Sequence, residues 1–277
     1  MEGERKPMKL SVVVADAKAP ASAFVVWRGF DQSIPKTAEM GFDGIELALG
    51  EAADINVSRL DELLLKYGLS VSCISTGLTY ARMGLYMTHP DPAKRDEIVR
   101  VFHGLVDLAS THGGFINMGR SRGFVAEGQT REEAEKLFLE TMGRVLPYAK
   151  EKGVTILIEP INRYESNFIN TLDEATELLD RLHADNVGIM ADVFHMNIED
   201  DSIAGSLIRN SRYVKYVHIA DSNRLAPGMG HTDFRAIVDA LRSTGYDGWL
   251  STEVLPGSDP DEIARRTSAY MKPLMQA

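Results

Sequence analysis

Glu159, Asp192, His218 and Glu253 stand at or one residue before the end of four short apolar runs, VTILIE, VGIMAD, VKYVHI and GWLSTE. If these runs are parallel strands of one barrel, their C-terminal ends open on the same mouth and the four groups converge there. Three carboxylates gathered in one place repel one another, raising each other's pKa or weakening the fold, and a bound cation removes that penalty. One imidazole with three carboxylates is a hard, oxygen-rich donor set. It suits Mn²⁺ foremost, with Mg²⁺ or Co²⁺ in the same role, rather than a structural Zn²⁺. Octahedral coordination would leave about two positions for substrate oxygens. Taken singly, each residue has a plainer use: a helix cap, an ion-pair partner, a core histidine. Their common placement at successive strand ends argues for a joint one.

Further polar residues lie just beyond these strands. Glu165 follows Glu159 by six positions, His195 follows Asp192 by three, and Arg224 follows His218 by six. Such loops are where hydroxyls and a carbonyl would be held above a metal. Arg120 and Arg122, in GRSRG, are placed to pair bidentately with a carboxylate or phosphate, or to be solvated loop residues. Tyr80–Met87 is a candidate lid or pocket wall. Lys215, offset from His218 by an odd number, faces the helices and not the interior, which disfavours Schiff-base chemistry.

The elements that must position these groups alternate along the chain. Strands are expected at Leu10–Val14, Gly44–Leu49, Leu69–Ser75, Phe115–Met118, Val154–Glu159, Val187–Asp192, Val214–Ile219 and Gly248–Glu253. The clearest helices are Ser58–Tyr67, Asp91–His112, Thr130–Lys152, Leu172–His183, Thr232–Thr244 and Asp259–Met275. Thr130 with Glu133 reads as a capping box, and Asp91-Pro92 as an N-cap followed by a first-turn proline. GLS, KGVT, DNVG and GYDGW mark helix-to-strand turns, with glycine suited to the left-handed helix end. Eight βα units without a linker give a single (β/α)8 barrel over 1–277, with 1–8 as a loose extension. No GxGxxG opens a helix after the first strand, so nothing supports dinucleotide binding.

Bulk properties narrow the function classes. The 277-residue chain is 44% hydrophobic with a formal charge of −10. That balance disfavours nucleic acid or an anionic membrane as the main partner. The single cysteine, Cys73, cannot form an internal disulfide and sits in an apolar run. No run reaches the roughly 20 residues of a membrane span, and the charged N-terminus lacks a signal-peptide core. A cytoplasmic protein is expected.

At THPDP (88–92), IEPINRYESNFINT (158–171), ADVFHMNIE (191–199) and HIADSNRLAPGMGHTDFR (218–235), the sequence resembles the xylose-isomerase-like barrel superfamily. Within it the likeness is to ketose 3-epimerases of the D-tagatose and D-psicose type, and to a branch acting on keto-sugar acids such as 5-keto-gluconate. The resemblance implies metal ligands at Glu159, Asp192, His218 and Glu253, acid/base roles for Glu159 and Glu253, and substrate contacts from Glu165, His195 and Arg224. It also implies assembly as a dimer or tetramer. The endonuclease branch uses additional histidines near strands two to four. Those ends here read GIELAL, VSCISTG and FINMGRS, without histidine, although His231 and Asp233 echo later ligands.

The expected reaction is 3-epimerisation of a ketose or keto-sugar acid: one glutamate removes the C3 proton, an enediolate forms, and the other glutamate returns a proton to the far face. The alternatives are an aldose–ketose isomerase of the hydroxypyruvate type and a metal-dependent lyase of the keto-inositol dehydratase type. A sugar-binding protein without catalysis is a weaker alternative, having no use for opposed carboxylates.

Overall fold

The computed structural model describes residues 7–21 and 23–276. Its strands are β1 (Lys9–Ala15), β2 (Trp27–Arg28), β3 (Gly44–Ala48), β4 (Ser70–Ser75), β5 (Phe115–Met118), β6 (Thr155–Ile158), β7 (Val187–Asp192), β8 (Val214–Ile219) and β9 (Trp249–Thr252). β1 and β3–β9 pair in sequence order, all parallel, and β9 pairs back onto β1. The sheet therefore closes into an eight-stranded barrel, as expected; the short β2 lies beside β1.

The helices are α1 (Phe30–Glu39), α2 (Val57–Tyr67), α3 (Gly77–Met83), α4 (Pro92–Ala109), α5 (Arg131–Glu151), α6 (Leu172–Leu182), α7 (Val193–Glu199), α8 (Ile203–Arg209), α9 (Phe234–Ser243) and α10 (Pro260–Gln276). The capping box at Thr130 forms, Thr130 Oγ1 accepting from Glu133 N while Glu133 accepts from Thr130 N. Asp91 caps α4 with Pro92 in the first turn. The sequence pattern did not single out α1, α3, α7 or α8. Three of them are only seven residues long, too short to display a helical period, and α1 carries Pro35.

Two expectations about local structure are corrected. DNVG does not supply the left-handed helix end. His183 takes that conformation (φ 49°), while Gly188 lies inside β7, where a Cβ would stand 2.6 Å from Lys215 Cγ. The glycine is needed for close approach, not for a turn. The loose extension proposed for 1–8 falls outside the described residues up to residue 6, and Met8 already packs into the core. No helix among the described residues is long and apolar enough to cross a membrane.

One large apolar layer fills the space between strands and helices. Inside the barrel, Cys73, Leu157, Met190 and Tyr216 form a smaller floor. Lys215 is exposed on the outside of β8, as its register predicts.

Candidate functional site

Glu159 and Glu253 stand one residue past the ends of β6 and β9, Asp192 closes β7, and His218 is the penultimate residue of β8. In the barrel these become neighbours. One ligand atom from each lies within 4.8 Å of every other. His218 Nδ1 stands 3.4 Å from Glu159 Oε1, 3.7 Å from Glu253 Oε2 and 3.9 Å from Asp192 Oδ2. The convergence expected of the four strand ends is thus present.

Each side chain is held from outside the cluster. Asn117, from β5, donates through Nδ2 to Glu159 Oε2 at 2.8 Å. Gly119 lies against that same oxygen; a Cβ there would stand 2.8 Å from it, so only glycine leaves Glu159 its position. Asp192 divides its oxygens. Oδ1 caps α7 by accepting from Phe194 N and His195 N, and Oδ2 faces the cluster. Arg224 Nη2 donates to Glu253 Oε2 at 2.6 Å.

His218 Nδ1 and Asp192 Oδ2 are buried and have no hydrogen-bond partner among the described residues. Buried polar atoms are rarely left so, because each forfeits its hydration without compensation. Lone pairs aimed at a common point, in a set of one imidazole and three carboxylates, fit a divalent cation.

The electrostatics agree. Burial above all pushes the Glu253 carboxyl up to about 8, with Glu159 and Asp192 adding repulsion that His218 and Arg224 only partly offset. Burial acts on Glu159 in the same sense, but the adjacent His218, then the charge of His195 and the hydrogen bond from Asn117, outweigh it and hold the group at about 2. Burial would keep the His218 imidazole neutral; Glu46 and then Glu253 overcome this and push its pKa up. The cluster carries more negative charge than it can comfortably hold alone.

The three residues expected to hold substrate surround the same cavity. Asn162 Nδ2 donates both to His195 Nδ1 (2.7 Å) and to Glu165 Oε1 (3.1 Å). With Nδ1 accepting, His195 carries its proton on Nε2, which lies 3.6 Å from Asp192 Oδ2. Burial pushes the His195 pKa down, keeping it neutral. Arg224 is sandwiched between Phe24, 3.9 Å from its ring centre, and Phe194, at 4.6 Å. It adopts a left-handed backbone (φ 58°), an uncommon cost for a non-glycine residue that a tightly determined site can sustain. The cavity encloses about 260 Å³, near the lower end for small-ligand sites.

The two loop arginines part company. Arg120 lines the cavity, with its side chain 47% exposed, and pairs with Glu165 at 2.9 Å. Arg122 is fully buried and spends its guanidinium on Gly119 O, Ser166 Oγ, Phe168 O and Ile169 O. It is a strut for the loop after β6 with no face for a ligand or for solvent, which corrects both readings of it, the ligand partner and the solvated loop residue. In Tyr80–Met87, Ala81 borders the cavity, while Leu85 and Met87 are fully buried. His231 is exposed and bonds Ser222 Oγ, and Asp233 caps α9; neither joins the cluster.

Sequence reasoning passed over Glu46, Asn117 and Asn162. Glu46 carried a usable signal as the one charge in the apolar strand GIELA. The two asparagines carried none beyond their position near strand ends.

Comparison with known proteins gives a consistent picture. The family profile described as Xylose isomerase-like TIM barrel matches residues 34–274. An L-ribulose 3-epimerase of Mesorhizobium japonicum is 31% identical over 244 residues, covering 87% of this chain and 80% of that protein. A 3-dehydro-D-guloside 4-epimerase of Escherichia coli is 27% identical over 242 residues, covering 84% and 90%. The structure of a D-allulose 3-epimerase from a Methylomonas species, in complex with D-allulose, superposes with a TM-score of 0.80 at 27% identity, covering 97% of each chain.

Proposed function

Because this chain belongs to the xylose isomerase-like TIM barrel family, we propose that it is a metal-dependent epimerase of a ketose or keto-sugar acid, inverting C3 next to the ketone. The supporting observation is the pair of orphaned buried atoms, His218 Nδ1 and Asp192 Oδ2, beside two glutamates that border a small cavity.

Glu159, Asp192, His218 and Glu253 would hold the cation, with Mn²⁺ foremost and Mg²⁺ or Co²⁺ in the same role. When bound, it supplies Lewis-acid stabilisation of negative charge on the oxygens of the carbonyl and the neighbouring hydroxyl. The remaining work falls to the chain. One of Glu159 and Glu253 takes the proton from C3 and the other returns one to the opposite face. The substrate's configuration decides which acts first. His195, through its Nε2 proton, and Arg224 hold the carbonyl end, and Glu165 accepts from a hydroxyl. Phe24, Leu78 and Ile161 supply apolar walls that exclude water from the reacting carbon.

The E. coli relative is named for inversion at C4 of a 3-keto compound. In both reactions the inverted carbon adjoins a ketone, so the same two-glutamate chemistry serves either. A panel of ketoses and keto-sugar acids, followed by NMR in deuterium oxide with Mn²⁺ supplied, tests the reading. Deuterium should enter the inverted carbon alone, and Glu253→Gln should lose both inversion and exchange by a factor of at least about 100. Undiminished exchange in that variant would remove Glu253 from proton transfer. Deuterium at C1 would indicate an aldose–ketose isomerase, and loss of water with a new ultraviolet chromophore would indicate a lyase.

A further inference from the structure

Beneath the four-residue cluster, on the side away from the cavity, lies a carboxylate that the proposed reaction does not use. Glu46, from β3, is 0% exposed. Both of its oxygens lie 3.0 Å from His218 Nε2, and Oε2 also accepts from the Tyr216 hydroxyl at 2.9 Å. Tyr216 Oη in turn lies 2.7 Å from Ser72 Oγ and 3.2 Å from Ser11 Oγ. The carboxylate is thus gripped by an imidazole N–H and a phenol O–H within a closed polar group under the site.

An imidazole has two nitrogens, and the partner of one decides what the other can do. A carboxylate accepts only, so the nitrogen facing Glu46 must carry a proton. The opposite nitrogen, Nδ1, faces Glu159, Asp192 and Glu253 and has no hydrogen-bond donor or acceptor of its own. We propose that Glu46 is a positioning residue that fixes the His218 proton on Nε2 and thereby commits Nδ1 to the cation. Accepting the N–H bond also makes Nδ1 a stronger donor, an effect general to metal-bound histidines with carboxylate partners.

A structural role alone explains Glu46 poorly. Burying a carboxylate is expensive, and a buried Tyr216 hydroxyl needs only a neutral acceptor. Both Glu46 oxygens face donors, the His218 Nε2 proton and the Tyr216 hydroxyl, an arrangement that suits the carboxylate form.

The inference rests on the metal reading of the cluster, and the test separates the two. Mn²⁺ is titrated into metal-free wild type and into Glu46→Gln, with free Mn²⁺ followed by electron paramagnetic resonance and folding checked by circular dichroism. Folded wild type that binds no Mn²⁺ overturns the metal reading itself. If wild type binds, Glu46→Gln should bind about 10–100-fold more weakly, and a loss below tenfold overturns the assignment. The second measurement needs no variant. In wild type loaded with diamagnetic Mg²⁺, long-range proton–nitrogen spectra of the histidines should place the His218 proton on Nε2. A proton on Nδ1 overturns the inference even if Glu46→Gln does not fold.

Discussion

Asp192 illustrates how much one side chain does here. Its Oδ1 caps α7 and its Oδ2 faces the cluster, so the atom that starts a helix also orients the atom that would meet the cation. Eight residues on, Asp200 shows a carboxyl whose environment costs stability. It is half-buried, and burial first, then Asp173, lifts it to about 6 against the help of the Ser206 hydroxyl. A carboxyl raised in this way takes up a proton on folding. Its favourable contribution is complete below the unfolded value of 3.8 and is lost as pH climbs through about 6. Asp200→Asn should therefore match wild type near pH 4 and gain about 1 kcal/mol by pH 8, a figure discounted for solvent screening. Urea unfolding across that range checks it; a gain at pH 4 equal to that at pH 8 would contradict the account.

At the scale of elements, the site depends on the loop from 159 to 171. This segment carries Glu159, Asn162 and Glu165 and is tied down by a residue of the preceding loop, the buried Arg122. Burial lowers the pKa of that guanidinium to about 10, yet it stays charged at neutral pH with carbonyls as its main partners. Arg122→Leu would strand the carbonyls of Phe168 and Ile169, at about 1–3 kcal/mol each. It should lower the melting temperature and raise KM through the displaced Glu165. Arg120→Ala is expected to behave differently. Its exposed, singly paired guanidinium should change stability by no more than about 0.5 kcal/mol. Where the substrate is a keto-sugar acid, the variant should lose turnover on the acid more than on the neutral ketose. Equal loss on both would assign Arg120 to holding Glu165 only.

For the whole molecule, barrel closure brings the charges together, and the cation proposed for the site would relieve them. The native state alone gathers the four proposed ligands, so metal binding should stabilise it by mass action. At a free Mn²⁺ concentration one hundred times Kd the gain is about 2.7 kcal/mol, worth several degrees in a chain of this size. Calorimetry after chelation should show the corresponding fall, reversed by Mn²⁺. An unchanged transition at saturating Mn²⁺ would mean that the native cluster binds no metal.

The barrel and the four converging groups were legible in the amino-acid order because both depend on local pattern. Buried parallel strands read as short apolar runs, and a charge at the end of such a run stands out. Parallel pairing then sends every run's end to one mouth. The short helices α3, α7 and α8 were not legible, since seven residues carry too little periodicity, and their helical state is decided by what they pack against. Tertiary structure alone decided the partners. Glu46 meets His218 from 172 positions away, Arg122 turns inward while Arg120 turns to the cavity, and Asn162 settles the tautomer of His195. Such choices depend on the distance and direction between side chains from different strands, which exist only once the sheet has closed.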